Sequence, residues 1–208
     1  GETDVISSQL KRNHVDLYRG RASFITKNEI EITAGKNIKR IHGEIIIIAV
    51  GASPIAPNHI DVDGRYVLDS NSILTLKRVP KSMVVLGGGI IGCEYASMFA
   101  MAGTKVTLVD KRHEILASVD REIVRALMDR FEYQGMEIIL STEADKVVRS
   151  KTGDSSQVVV HLQNGRKVKA DVVLVALGRR GNTDGLNLDA VGITPDTRGQ
   201  LKVDAHFR

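Results

Sequence analysis

Hydrophobic positions change rhythm twice along this chain. From Leu17 to Val50, short apolar runs are separated by polar turns, which predicts strands at Val15–Tyr18, Ala22–Thr26 and Glu29–Thr33. A continuous apolar run over Glu44–Val50 reads as a further strand. The stretch Gly51-Ala52-Ser53-Pro54-Ile55-Ala56-Pro57 then predicts a loop, because two prolines and small residues oppose both helix and central strand.

The middle of the chain alternates strand and helix. Met83–Leu86 predicts a buried strand, three glycines follow, and the spacing predicts a helix over Ile90–Met101 that Gly103 ends. Lys105–Val109 reads as the next strand. A second helix is predicted from about Ser118, with Asp120 and Glu122 in its first turn, where the helix dipole favours negative charge. Ile123, Leu127 and Phe131 supply its apolar face, and Gly135 closes it. Met136–Leu140 reads as the third strand. Strands alternating with helices of this length imply a parallel sheet with right-handed crossovers. Beyond Leu140, Lys146–Arg149, Gln157–Leu162 and Arg166–Lys169 predict a small antiparallel meander with an Asn164-Gly165 hairpin turn. Asp171–Leu177 is an apolar strand returning to the main sheet, and a loop-rich tail begins at Gly178.

Composition narrows the class. The 208 residues are 42 % apolar and 26 % charged, enough to bury a core and inconsistent with wholesale disorder. Lysine and arginine total 29 against 25 acidic residues, and an excess of +4 with few aromatics and no basic run does not suit nucleic acid. The longest apolar stretch, Ile45–Val50, is far too short to span a membrane. One cysteine, Cys93, excludes a disulfide framework or a redox pair within these residues, and no signal-peptide pattern opens them, so the expected location is cytoplasmic. The histidines, His14, His42, His59, His113, His161 and His206, show no ligand spacing, so no metal site is expected.

The chemistry concentrates in Gly87-Gly88-Gly89-Ile90-Ile91-Gly92, a GxGxxG pattern between a strand and a helix. Gly87 permits the tight turn, Gly89 lets backbone approach a pyrophosphate, and Gly92 lets the helix pack closely on the strands. The helix N-terminus offers unpaired N–H groups and partial positive charge to the phosphates. The next strand ends in Asp110, eighteen residues after the last glycine, where a carboxylate can accept from both ribose hydroxyls. Asp110 disfavours a 2′-phosphate and thus points to NAD, whereas Lys111 and Arg112 could bind that phosphate or simply be solvated, which leaves NAD(H) and NADP(H) both open. Glu94, placed in the first turn, either answers the helix dipole or faces the nicotinamide end of the dinucleotide. Cys93 reads as buried packing rather than a nucleophile.

Gly87–Ala96, Ala49-Val50-Gly51-Ala52-Ser53-Pro54 and Ala176-Leu177-Gly178-Arg179-Arg180-Gly181-Asn182-Thr183 together resemble the pyridine nucleotide–disulfide oxidoreductase family of flavoproteins, in order and spacing. The resemblance implies an α/β fold, a Rossmann-like NAD(P)-binding domain with a parallel sheet and a β-meander, plus partial FAD-domain segments. It implies an internal fragment. Residues 1–68 would be the later part of the FAD domain's first segment, 69–188 the NAD(P)-binding domain, and 189–208 the start of the return to the FAD domain. The flavin-binding glycine motif and dimerisation domain of a complete family member would lie outside these residues, and the full-length protein would be a homodimer using FAD. By the same likeness, Gly87, Gly88, Gly89, Ile90, Ile91 and Gly92 would hold the dinucleotide, Ile90 would gate nicotinamide access to the flavin, and Glu94 would contact the nicotinamide. Asp110 would hold the ribose, Ala144 would offer backbone near the adenine, and Gly178 near the nicotinamide ribose. Ala22, Ala49, Val50 and Gly51 would line the flavin nucleotide. Cys93 before Glu94, Gly181-Asn182-Thr183-Asp184 and Arg198–Val203 look like the soluble transhydrogenase branch, which implies hydride transfer between nicotinamide nucleotides and flavin. A lipoamide dehydrogenase-like disulfide reductase and a non-catalytic nucleotide-sensing module are the alternatives. No side chain of this chain is expected to be catalytic by itself: the flavin carries the chemistry and the protein orients it.

Overall fold

The computed structural model describes residues 2–152 and 155–208, and the chain divides into two compact units. Unit 2 spans Ser53–Arg180 and unit 1 combines Gly1–Ala52 with Gly181–Arg208.

Unit 1 begins with helix α1 (Glu2–Arg12), followed by an antiparallel sheet of β1 (Arg21–Thr26), β2 (Glu29–Ala34) and β3 (Asn37–His42). Phe24 and Ile32 bury the inward positions of that sheet. Its edge is tied to the C-terminal segment, because the Phe24 N–H donates to the Leu186 carbonyl (2.8 Å) and the Asn187 amide donates to the Phe24 carbonyl (2.8 Å). Two expectations fail here. Val15–Tyr18 forms no strand, and its Val15, Leu17 and Tyr18 are exposed. Glu44–Val50 forms no strand either, leaving Ile45 and Ile47 85 % and 83 % exposed. The ends of that run are held by side chains: Asn28 donates to the carbonyls of Gly43 and Glu44 (3.0 Å each), and Asn182 donates to that of Val50 (3.0 Å). No strand pairs with its middle among the described residues, and a strand without a partner cannot satisfy its backbone.

Unit 2 is built on a five-stranded, wholly parallel sheet ordered β5-β12-β6-β7-β8. Its strands are β5 (Val67–Asp69), β6 (Ser82–Leu86), β7 (Lys105–Val109), β8 (Glu137–Ile139) and β12 (Val172–Val175). Helix α2 (Ile90–Met101) carries the chain from β6 to β7, and α3 (Arg121–Tyr133) carries it from β7 to β8. The sheet is buried on both faces, so its strands read as near-continuous apolar runs. Met83, Val85, Val106 and Leu108 face the helices with Cys93, Ala96, Val124 and Phe131. The alternate residues Val84, Leu86, Val173 and Val175 pack with Val158, Val160 and Leu162 of an antiparallel meander, β9 (Ala144–Thr152), β10 (Ser155–Leu162) and β11 (Lys167–Ala170). At the start of β12, Asp171 accepts from the backbone N–H groups of Lys81 (2.8 Å) and Ser82 (3.1 Å), which fixes the register of β12 against β6.

Helix α2 runs over the residues its spacing predicts, while α3 starts later than expected, at Arg121. Asp120 is its N-cap, accepting from the Glu122 N–H at 2.9 Å, so the chain before it cannot continue the helix. The buried stripe of α3 is Val124 and Phe131, flanked by Leu127 and Met128, and Ile123 turns outward at 63 % exposure. Within the expected Gly51–Pro57 loop, β4 (Ala52–Pro54) pairs with β13 (Arg179–Gly181) as a two-stranded ribbon, an edge position that tolerates proline.

Candidate functional site

In the parallel sheet the chain leaves β6 toward β7 on one side, while β12 lies on the other. The carboxyl ends of β6 and β12 thus flank the point where strand order reverses, the place where open α/β sheets form a crevice. Gly87–Gly89 follows β6 there and Ala176-Leu177-Gly178 follows β12.

Two glycines in this crevice are required by space. Gly87 has φ +110°, and a Cβ on it would overlap the Ala176 carbonyl oxygen. A Cβ on Gly92 would overlap the Gly87 carbonyl oxygen, so the first turn of α2 rests directly on the backbone of the loop. Gly89 differs from both: a Cβ there meets nothing within 4 Å, so the N-cap of α2 opens on free space. The N–H groups of Gly87 and Gly88 are engaged by the Val109 carbonyl (2.8 Å) and the Asp110 carboxylate (2.5 Å). Those of Ile90, Ile91 and Gly92 have no acceptor among the described residues, as expected of a first helical turn with neither a side-chain cap nor an acidic residue. Unpaired donors and the positive end of the helix dipole converge beside an open backbone, an arrangement that favours an anion.

Asp110 lies at the end of β7, 5 % exposed. Its Oδ1 accepts from the Arg112 backbone N–H (2.8 Å) and Nε (2.9 Å), and its Oδ2 accepts from the Gly88 N–H (2.5 Å) and Arg112 Nη2 (2.7 Å). Burial, the largest single influence, pushes the carboxyl up. The hydrogen bonds from the Arg112 side chain, Arg112 N–H and Gly88 N–H, with the nearby guanidinium charge, outweigh it and hold the carboxyl below its ordinary value. The same side-chain hydrogen bond raises Arg112. Lys111, next to this pair, is exposed.

Segments absent from the glycine motif complete the wall. The Leu116 N–H donates to the Gly88 carbonyl (2.8 Å), and Ile115 lies so close that a Cβ on Gly88 would stand 2.6 Å from its Cγ2. Ser141 and Thr142, just after β8, donate to the carbonyls of Arg112 (3.0 Å) and Asp110 (3.3 Å). The Thr142 hydroxyl is buried, with no hydrogen-bond partner among the described residues. No spacing rule in the sequence links Ile115–Leu116 or Ser141–Thr142 to the glycine motif; the chain reverses at Ser141 with φ +59°.

The remaining candidates divide by location. Ile90 is 65 % exposed at the start of α2, with Ile91 half-buried beside it. Glu94 is exposed but is the fifth residue of α2, in its second turn, so the expected first-turn dipole interaction does not apply to it. Gly178, φ +122°, is exposed and its carbonyl accepts from the Ile55 N–H (3.0 Å). Ala144 is buried at the start of β9, its carbonyl 3.2 Å from His59 Nε2. Ala22, Ala49, Val50 and Gly51 belong to unit 1 and are exposed. Cys93 is buried against the sheet, and burial, then the charge of Asp110, pushes its thiol up to about 12, which leaves it inert. Among the described residues there is no cluster of metal-ligating side chains, and no helix is long and apolar enough to cross a membrane.

Comparisons with known proteins agree with this geometry. The soluble pyridine nucleotide transhydrogenases of Hahella chejuensis and Marinobacter nauticus are 42 % and 40 % identical to this chain over 98 % of its length. Each match covers 45 % of the relative, so the chain spans about half the length of the curated relatives it matches. Two solved structures share the fold. The HOCl-induced flavoprotein disulfide reductase RclA from Escherichia coli superposes with a TM-score of 0.79 at 31 % identity, over 97 % of this chain and 47 % of that one. LpdA from Mycobacterium tuberculosis gives 0.85 at 27 % identity, over 98 % and 45 %. The family model described as pyridine nucleotide-disulphide oxidoreductase matches residues 2–208. With the glycine loop at the switch point of a parallel sheet and a match along nearly its whole length, the chain belongs to the pyridine nucleotide-disulphide oxidoreductase family.

Proposed function

We propose that this chain is the NAD(P)(H)-binding portion of an FAD-dependent oxidoreductase, and that the N-terminus of α2 seats the diphosphate of the nicotinamide dinucleotide. One observation carries the reading: three successive N–H groups, of Ile90, Ile91 and Gly92, lack acceptors among the described residues, beside the open N-cap at Gly89. The engaged N–H groups of Gly87 and Gly88 shape the loop, and Gly89 to Gly92 meet the phosphates. Asp110, Lys111 and Arg112 lie toward the adenosine ribose, with Ala144 on the adenine side. Gly178, Ile90 and Glu94 serve the nicotinamide end. Residues 69–188 act as the NAD(P)-binding domain, flanked by 1–68 and 189–208 from the flavin domain, where Ala22, Ala49, Val50 and Gly51 meet the flavin nucleotide.

The flavin, when bound, supplies the redox chemistry by taking or giving a hydride at the nicotinamide. The chain's own contribution is orientation, since fixing two reactants face to face replaces a bimolecular encounter. The bare apolar run Glu44–Val50 supports the flavin-domain assignment, because Ile45 and Ile47 suit a sheet position. In the same reading, the full-length protein works in the cytoplasm as a homodimer.

For the final electron acceptor, the family description and the flavoprotein disulfide reductase among the solved structures favour a disulfide. The curated relatives named transhydrogenase favour a second nicotinamide nucleotide. Assaying the full-length protein for NADPH-dependent reduction of a nicotinamide analogue, and separately of a dithiol–disulfide substrate, separates the two. For nucleotide binding, Gly89→Ala is the sharpest variant, because its Cβ meets nothing in the protein and yet stands where phosphate approaches. It should melt like the parent and lose binding; binding at parental strength refutes the assignment.

A further inference from the structure

We infer that Arg112 competes with the nucleotide ribose for Asp110, so that one side chain tunes the site between its two nicotinamide nucleotides. The inference rests on the dinucleotide reading above and deepens it.

An ionised carboxylate offers about four acceptor positions. At Asp110 all four are filled, two by backbone N–H groups, of Gly88 and Arg112, and two by Nε and Nη2 of the Arg112 side chain. The backbone donors are fixed by the loop. The guanidinium is not, because it sits on a side chain that is 41 % exposed. As the protein stands, Asp110 cannot accept from a ribose diol. Lifting Arg112 away frees one position on Oδ1 and one on Oδ2, which matches two vicinal hydroxyls.

With Arg112 docked, the opposite ligand is served. The guanidinium has five N–H donors, and the two on Asp110 leave three for another acceptor. The ion pair also cancels the carboxylate charge that would repel a 2′-phosphate. The dianion therefore meets an arginine already held in place by Asp110, with exposed Lys111 adjacent. NADP(H) uses the docked arrangement, whereas NAD(H) must first displace the side chain. Arg112 thus weakens one nucleotide while strengthening the other. Neither a solvated arginine nor a simple phosphate ligand produces that opposition.

The test is calorimetric titration of the full-length protein, its flavin oxidised, with NAD+ and NADP+, which carry no hydride to transfer. Arg112→Ala should tighten NAD+ by roughly fivefold and weaken NADP+ by at least as much, the modest size reflecting a guanidinium that is part-exposed to solvent. Arg112→Gln, which keeps the length but not the charge, should shift both in the same directions. Unchanged or weaker NAD+ binding in both variants, with NADP+ weakened, overturns the competition and leaves the dinucleotide site standing. Failure of the parent protein to bind either nucleotide overturns the site itself.

Discussion

Two apolar runs read almost alike and behave oppositely. After an acidic first residue, Asp171–Leu177 and Glu44–Val50 are each aliphatic throughout, and each leads into a glycine, Gly178 and Gly51. The first supplies β12 at Val172–Val175, buried between β5 and β6. The second pairs with nothing among the described residues and leaves Ile45 and Ile47 in solvent. The difference lies in the neighbours, not in the runs. Unit 2 contributes two parallel partners for β12 and covers both faces with α2, α3 and the meander. Among the described residues, unit 1 offers Glu44–Val50 side-chain tethers at its ends, from Asn28 to Glu44 and from Asn182 to Val50. A strand is thus a property of its ladder, and apolar sequence alone states only what it could join.

Charge placed in each run should separate them most. Leu174→Asp buries an unpaired carboxylate at a fully buried position and should cost about 4 kcal/mol or more, enough to abolish cooperative unfolding. Ile47→Asp should stay within about 0.5 kcal/mol of the parent in the same urea titration of this chain. Equal losses would mean that Glu44–Val50 is sheltered after all.

Gly92→Ala comes next. Its Cβ has nowhere to go without parting α2 from the loop after β6, an overpacking cost of about 2 kcal/mol with loss of nucleotide binding. Unaltered thermal stability would contradict the close approach of helix and loop. Removing the cap of α3 by Asp120→Ala should cost about 1 kcal/mol and leave binding intact, which a melt and a titration together decide. The smallest effect concerns Cys93. Its thiol holds its proton up to about 12, whereas an ordinary one releases it near 9.0, so stability falls as pH rises across that window. Below it the thiol should resist alkylation until the chain is unfolded, and prompt labelling in the native protein would contradict its burial.

Much of unit 2 was legible in the sequence because its signals are local. The bounds of α2 follow from glycines before it and Gly103 after it, and β6, β7 and the Asn164-Gly165 turn follow from periodicity and turn chemistry. What escaped depends on residues distant in sequence. Val67–Asp69 becomes β5 because β12 lies beside it, with Val67 paired to Val173, 106 positions on. The outward turn of Ile123 depends on which face of α3 packs on the sheet, and Val124 and Phe131 take that face. At the site, the glycine pattern marked the turn before α2, and the position of Asp110 at the end of β7 was evident. That Arg112 fills the carboxylate was not, since no spacing rule distinguishes a docked arginine from a solvated one.

Whether the first turn of α2 holds a diphosphate is read directly by amide NMR during titration with NAD+ or NADP+. If it does, the amide resonances of Gly89, Ile90, Ile91 and Gly92 move most and saturate together. Movement confined to other parts of the protein, with those four resonances still, would contradict it.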